Sequence, residues 1–546
     1  MRMDRIVTAG LAVLLAAAMA AAQADPQQRR PEQPAAQPQA QPAPAPAPPA
    51  QMTTPGAQRP QFPGGRNPQA REQAAEEGGR RGGIPPEERT AVTHHTARIA
   101  GQTIAYTATA ATYVIKDDAG NPKATMFYVA YTKDGADAAH RPVSFVYNGG
   151  PGSASLFTHL GMGPRRVVLT PDGHGMPAPY SMTDNEESYL DATDLVFIDA
   201  IGTGYSRPAP GENRAQFYGV IQDANWFADF IYQYITRNER WASPKFLIGE
   251  SYGTTRSAEL AGVIQQRHQI YLNGVVLVSA VAFANFGGDD RNVYFLPTYI
   301  TSAWYHHLLP PDLQSLSIDQ VAQKAREFAH GEYAAALDKG DQISPDDYKK
   351  VVQDIARFTG LKPSYIEQAN LRISSFRWFK ELLRDQRRTV GRLDSRFLGM
   401  DADAAGERDE YDPSEASYEG AYVATFQDYV RRDLGWKNEV NLMYYAITGN
   451  VRPWDQTGNT EVASVLRSAM TEQTHLKLLV VCGYYDLATP FNGIEHTVNH
   501  MGLEPPIRKN VSFTYYQSGH MVYIDDKERA KLHHDVTGFI NASYPH

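Results

Sequence analysis

Between residues 97 and 133, apolar and polar positions alternate: "YTATAATYVI" (106–115) and "ATMFYVAYT" (124–132) lie either side of "GNP". A period of two broken by turn residues predicts a hairpin of half-buried antiparallel strands. After it the alternation gives way to short unbroken apolar runs: "VSFVY" (143–147), "DLVFID" (194–199), "KFLI" (245–248), "GVVLV" (274–278) and "KLLVVC" (477–482). Runs of this length without polar interruption imply burial on both faces, as in a parallel sheet covered by helices.

Helical periods separate the runs, as in "NWFADFIYQYI" (225–235) and in Leu260, Val263 and Ile264 at i, i+3 and i+4. Alternating strands and helices predict an α/β fold with right-handed crossovers. The alternation stops over 283–469, where "IDQVAQKAREFAHGEYAAALD" and "SYEGAYVATFQDYVRRDLGW" read as helices. That stretch is expected to be an insertion between two core strands. There is no repeat at solenoid or propeller spacing.

The N-terminal region reads differently. Arg2 and Arg5 precede an uncharged run, Ile6 to Ala22, and Ala22-Gln23-Ala24 has the small-x-small form of a cleavage site. Residues 1–24 are therefore expected to be an export signal, with an uncleaved anchor as the alternative. From Asp25 to Pro86 the chain holds 15 of its 36 prolines and one aromatic, Phe62. Such a composition buries too little apolar surface to offset the entropy of ordering it, so 25–91 is expected to be a tether. The formal charge of −9 gives no basic footprint for nucleic acid. Cys482 is the single cysteine, which excludes an intrachain disulfide and leaves stability to the core.

The sharpest local pattern is Gly249-Glu250-Ser251-Tyr252-Gly253, a G-x-S-x-G between a buried strand and a helix. Small residues two before and two after the serine permit the strained turn that lifts its hydroxyl above a sheet. This makes Ser251 a candidate nucleophile. A serine needs a base, and the base an orienting acid, in the chain order Ser, Asp or Glu, His. Asp486 follows the run "KLLVVC", and His520 follows "VSFTYY". Asp525 and Asp526 are alternatives for the acid that break this order. A developing oxyanion needs two N–H donors about 3 Å away. Tyr252, next after the serine, supplies one, and Gly150 in "NGGPGSAS" (148–155) is assigned the second. That glycine-rich loop could otherwise be a plain strand-to-helix turn. It is not a phosphate loop, because no Gly-Lys-Ser/Thr follows.

Taken together, Asn148–Gly152, Gly249–Gly253, "DLVFIDAIGTGYS" (194–206), "GYYD" (483–486) and "SGHM" (518–521) resemble the serine carboxypeptidases, here of a bacterial exported type. The resemblance covers about residues 100–282 and 470–546, with the insertion where that family carries a cap. It implies an α/β-hydrolase fold, a mostly parallel sheet with a helical cap, and no metal or organic cofactor. It also implies that Asn148, Gly149 and Glu250 hold the C-terminal carboxylate of a peptide substrate. A carboxyl beside a substrate carboxylate must share a proton with it, so peptidase activity is expected to be strongest at acidic pH.

The chain departs from the family at three positions. Val146 and Ser153 stand where Trp and Cys are common, and Gly161 in "GMGP" stands where a glutamate commonly supports the carboxylate clamp. His496 and His500, at i and i+4, lack the glutamate and third ligand of a zinc site and read as a solvated helix face. "WYHH" (304–307) and "RWFK" (377–380) are expected in the core of the insertion rather than at the substrate entrance. The expectation is an exported, periplasmic or secreted serine carboxypeptidase. An esterase or acyltransferase on the same scaffold and an inactive exported binding protein are the alternatives.

Overall fold

The computed structural model describes residues 85–282, 287–437, 454, 455, 457 and 462–545. The expected export signal and most of the expected tether lie outside the described residues. The last residues assigned to the tether do not: Arg89 N donates to Thr112 Oγ1 (3.0 Å) and Glu88 Oε1 accepts from Val114 N (3.1 Å), so the fold begins before residue 92. The charged "PEERT" hid this because it lies along a sheet edge, where polar side chains face water.

The sheet has nine main strands: β1 Thr90–Ile99, β2 Gln102–Lys116, β3 Pro122–Lys133, β4 Val143–Tyr147, β5 Asp194–Ile198, β6 Lys245–Glu250, β7 Gly274–Val278, β8 Lys477–Gly483 and β9 Val511–Tyr516. Their order is β1-β2-β3-β5-β4-β6-β7-β8-β9, with Arg207–Pro208 paired to β3. The first four strands in this order, β1, β2, β3 and β5, pair antiparallel, and from β5 onward every pairing is parallel. This is an α/β-hydrolase fold with a mixed, mostly parallel sheet and helical insertions.

The hairpin, β2 and β3, belongs to a three-stranded meander with β1, and its far end is buried on both faces. Tyr113 and Tyr128 pack against Phe230 of one helix, and Phe127 meets Tyr205 and Trp436 on the other face. Alternation in the sequence could not reveal the second cover, because it is supplied by distant residues.

Successive residues of the parallel strands feed opposite layers. Val275 and Leu277 of β7 join one apolar cluster, with helices Val220–Arg237 and Tyr252–His268. Val276 and Val278 join the other, with Pro413–Arg432 and Asp526–Asn541. Each fully buried aliphatic side chain contributes roughly 1.5–3 kcal/mol, so a sheet covered twice supplies the stability that small domains take from disulfides.

Between β7 and β8 the chain turns through helices. Residues from Val293 to Val390 build a core of their own, in which Trp378 stacks on Tyr299 with ring centroids 4.3 Å apart. "RWFK" lies there, with Lys380 paired to Asp401 at 2.6 Å. Of "WYHH", Trp304 packs against this core while Tyr305 is exposed. The later part of the expected insertion packs on the sheet layers instead: Pro413–Arg432 on one and Val462–Glu472 on the other. Among the described residues no helix is long and apolar enough to cross a membrane.

Candidate active site

The site forms where the parallel strands end. Strand β6 runs into helix Tyr252–His268 through Ser251, whose φ of 59° and ψ of −128° a side-chain-bearing residue rarely adopts. Gly249 is sterically required, and Gly253 sits in tight quarters. A Cβ on Gly249 would lie 2.2 Å from the Gly253 carbonyl oxygen, and one on Gly253 would lie 3.0 Å from that of Tyr147. Ser251 N donates to Val278 O (3.0 Å), which ties the turn to the end of β7.

Asp486 and His520 come from the loops after β8 and β9. Asp486 is 0 % exposed; its Oδ2 meets His520 Nδ1 at 2.7 Å and accepts from Thr489 Oγ1, and its Oδ1 accepts from Ala488 N (2.8 Å) and Thr489 N (2.9 Å). Burial by itself would lower the His520 pKa; the charge and hydrogen bond of Asp486, with the charge of Glu250, leave it raised. The histidine backbone is held to β7 by Ser279 Oγ, which donates to its carbonyl at 2.5 Å. Ser251 and His520 follow strands β6 and β9, which have β7 and β8 between them, and both are tied to the end of β7, through Val278 O and Ser279 Oγ. Neither Ser251 Oγ nor His520 Nε2 makes a hydrogen bond with another described residue, and a nucleophile and base often tighten their contact only when substrate is present.

The loop 148–155 lies directly against the turn at Ser251. A Cβ on Gly149 would be 2.3 Å from Tyr252 N and 2.6 Å from Gly253 N, so only glycine fits there. Gly150 follows with a φ of 110°, open to the left-handed region that glycine tolerates. The loop's far end is pinned by Asp199, whose Oδ1 accepts from Ser155 N (2.9 Å) and whose Oδ2 accepts from Tyr205 N (3.2 Å). Burial raises Asp199 to about 6. The "DAIGTGYS" segment thus acts as a bracket for the glycine loop.

Asn148 Nδ2 donates to Glu250 Oε1 at 2.6 Å, while its Oδ1 accepts from Thr158 N (3.0 Å) and Thr158 Oγ1 (3.1 Å). The backbone N–H of Thr158, which can only donate, settles which end of the amide faces Glu250. Glu250 is 3 % exposed, and burial pushes its carboxyl up to about 7 against the opposing effects of His520, Tyr523 and Asn148. The structure thus brings together Ser251, Asp486, His520, Asn148, Gly149, Gly150, Glu250 and Tyr252.

Asp525 and Asp526 are engaged elsewhere. Asp525 caps the last helix through Lys527 N and Glu528 N and pairs with Arg396 at 2.9 Å; Asp526 pairs with Arg529 at 2.7 Å. His496 and His500 stack with centroids 3.8 Å apart, and among the described residues no group of three or more His, Cys, Asp or Glu could hold a metal.

Three residues escaped the sequence reading. Thr489 bridges the acid and base, contacting His520 Nδ1 at 3.2 Å as well as Asp486; its position three after the aspartate was a signal for a turn closed by the side chain. Asp394, which accepts from Gly519 N at 3.0 Å, and Tyr523, whose ring lies against Gly161, had none, because these contacts are remote in sequence.

Residues 103–533 match the family described as serine carboxypeptidase, and the chain belongs to that family. Among solved structures it is similar to proline iminopeptidase of Mycobacterium smegmatis (16 % identity, 80 % of this chain and 98 % of that one, TM-score 0.34). Others are a thermophilic esterase of Thermogutta terrifontis (11 %, 80 % and 99 %, 0.33) and a carboxyl esterase of Bacillus coagulans (10 %, 79 % and 97 %, 0.34).

Proposed function

We propose that this chain is an exported serine-type carboxypeptidase that releases C-terminal residues from peptides. Ser251 Oγ attacks the last peptide carbonyl as His520 takes its proton, and Asp486 holds the imidazole with Nδ1–H toward itself and Nε2 toward the serine. The N–H groups of Gly150 and Tyr252 receive the oxyanion at the start of the helix. His520 then returns the proton to the leaving amine, and water hydrolyses the acyl-enzyme by the same route in reverse.

The observation that carries the reading is the Asn148–Glu250 pair, buried beside His520 with Glu250 raised to about 7. A carboxyl that keeps its proton in mildly acidic solution can donate to a substrate carboxylate, whereas an ionised one would repel it. Asn148, Gly149 and Glu250 therefore form the clamp for a free C-terminus.

The test compares a blocked dipeptide with its C-terminal amide across roughly pH 4 to 8, with Ser251→Ala as control. Cleavage of the free acid alone, lost in the control, supports the assignment. Equal cleavage of the amide, or cleavage of simple esters only, would sink the clamp and favour an esterase.

A further inference from the structure

Gly161 has no side chain, and the ring of Tyr523 fills the space beside it. A Cβ at 161 would lie 2.3 Å from Tyr523 Cδ2 and 2.5 Å from Cε2. Tyr523 is 2 % exposed, and it follows His520 by three residues in a short helical turn, Val522–Ile524. Its hydroxyl faces Glu250. Each group acts on the ionisation of the other as a hydrogen-bonding neighbour, yet the geometry stops short of a completed bond, and both Glu250 Oε2 and Tyr523 Oη are buried polar atoms with no partner. Two such buried atoms are costly to leave unengaged.

We propose that Tyr523 is a positioning residue of the carboxylate clamp: its phenolic O–H donates to Glu250 Oε2, orients that carboxyl opposite Asn148, and sets the pH at which free-acid peptides stop binding. This rests on the carboxypeptidase reading for its consequence in catalysis, but the Tyr523–Glu250 bond is a property of the protein alone. A phenol stays neutral through the working range, so it can only donate to the ionised carboxyl, which favours that form. The other titratable groups acting on or acted on by Glu250 are His520 and Asp486 from the strand-end loops, Tyr189 from the turn Tyr189–Asp191, and Tyr418 and Tyr422 from helix Pro413–Arg432. Of these, His520 when charged lowers Glu250 and Asp486 raises it. Gly161 enters as the vacancy that admits the ring.

The experiment follows the protonated-carboxyl infrared band that disappears in Glu250→Gln, titrated in the wild-type protein, Tyr523→Phe and Gly161→Ala, alongside kcat/KM on a free-acid peptide over the same pH range. Phe keeps the ring packing and removes only the donor. The expected result is an upward shift of the Glu250 titration by about one pH unit in Tyr523→Phe, with the falling limb of the peptide profile moving by the same amount. Gly161→Ala, which displaces the ring but keeps the hydroxyl, should shift the band in the same direction. An unchanged Glu250 titration in Tyr523→Phe overturns the proposal whatever the activity. A wild-type enzyme that cuts acid and amide equally would instead overturn the carboxypeptidase reading, and the infrared titration would still decide whether the bond exists.

Discussion

Asp394 Oδ2, from the chain between β7 and β8, accepts a hydrogen bond from the backbone N–H of Gly519, the residue before His520, at 3.0 Å. The same carboxylate pairs with Arg396 at 2.7 Å, and Arg396 in turn reaches Asp525, Gln517 O and Ser518 Oγ. One residue earlier, Leu393 O accepts from His520 N (2.7 Å), while Leu487 N donates to Arg392 O (3.1 Å). Segment 392–396 therefore grips both the base loop and the acid loop, and holds the imidazole where Asp486 can orient it.

Breaking this grip should separate catalysis from binding. Asp394→Asn keeps the shape but loses the charge that holds Arg396, and is expected to lower kcat by up to about 100-fold with little change in KM, since small misplacements of a catalytic group are costly. Asp394→Ala leaves Arg396 short of a buried partner and should lose about 3–5 kcal/mol of stability, read in denaturant titrations. A proportionate rise in KM with unchanged kcat would refute the positioning role.

For Glu250→Gln, the sign follows from the raised carboxyl. Glu250 holds its proton below about 7 and loses it above, so wild-type kcat/KM on free-acid peptides should fall through that region, while Gln, permanently neutral and able to donate, should abolish the falling limb. Stability moves in the same window. A carboxyl whose pKa is raised by folding destabilises the native state progressively as pH rises from its ordinary value of 4.5 through about 7, so the gain in Tm of Glu250→Gln over wild type should be larger at pH 8 than at pH 5. Thermal scans at the two pH values check it.

Asp486→Asn should cost about 10³–10⁴-fold in kcat on peptides and esters alike, because the amide can no longer hold the imidazole in the tautomer that presents a basic Nε2. Far-UV circular dichroism should stay native, since Asn can keep one of the loop N–H contacts. A loss confined to peptides would argue that Asp486 acts on the leaving group rather than on the histidine.

The backbone at Ser251 is strained for any residue with a Cβ. Ser251→Gly and Ser251→Ala should both be inactive, yet the glycine variant should be the more stable by about 1 kcal/mol, strain relief exceeding the entropy glycine adds to the unfolded chain. A higher melting temperature for the alanine variant would show that the turn is unstrained.

Local chemistry accounts for what could be read from the chain alone. Apolar runs without interruption mark strands covered on both faces, and Gly249 and Gly253 are needed by a turn only five residues long. The order of Ser251, Asp486 and His520 behind such runs places all three at strand ends, and the structure positions them there. What the tertiary structure decided depends on residues far apart in sequence. The second cover over the hairpin comes from Trp436, more than 300 residues away. The Asp394 contact to Gly519 spans 125 residues, and the Tyr523 ring over Gly161 joins segments still further apart. No periodicity carries such information. A buried donor finds its acceptor only after helices and sheet have packed, and the cost of leaving it unpaired is then what makes the arrangement specific.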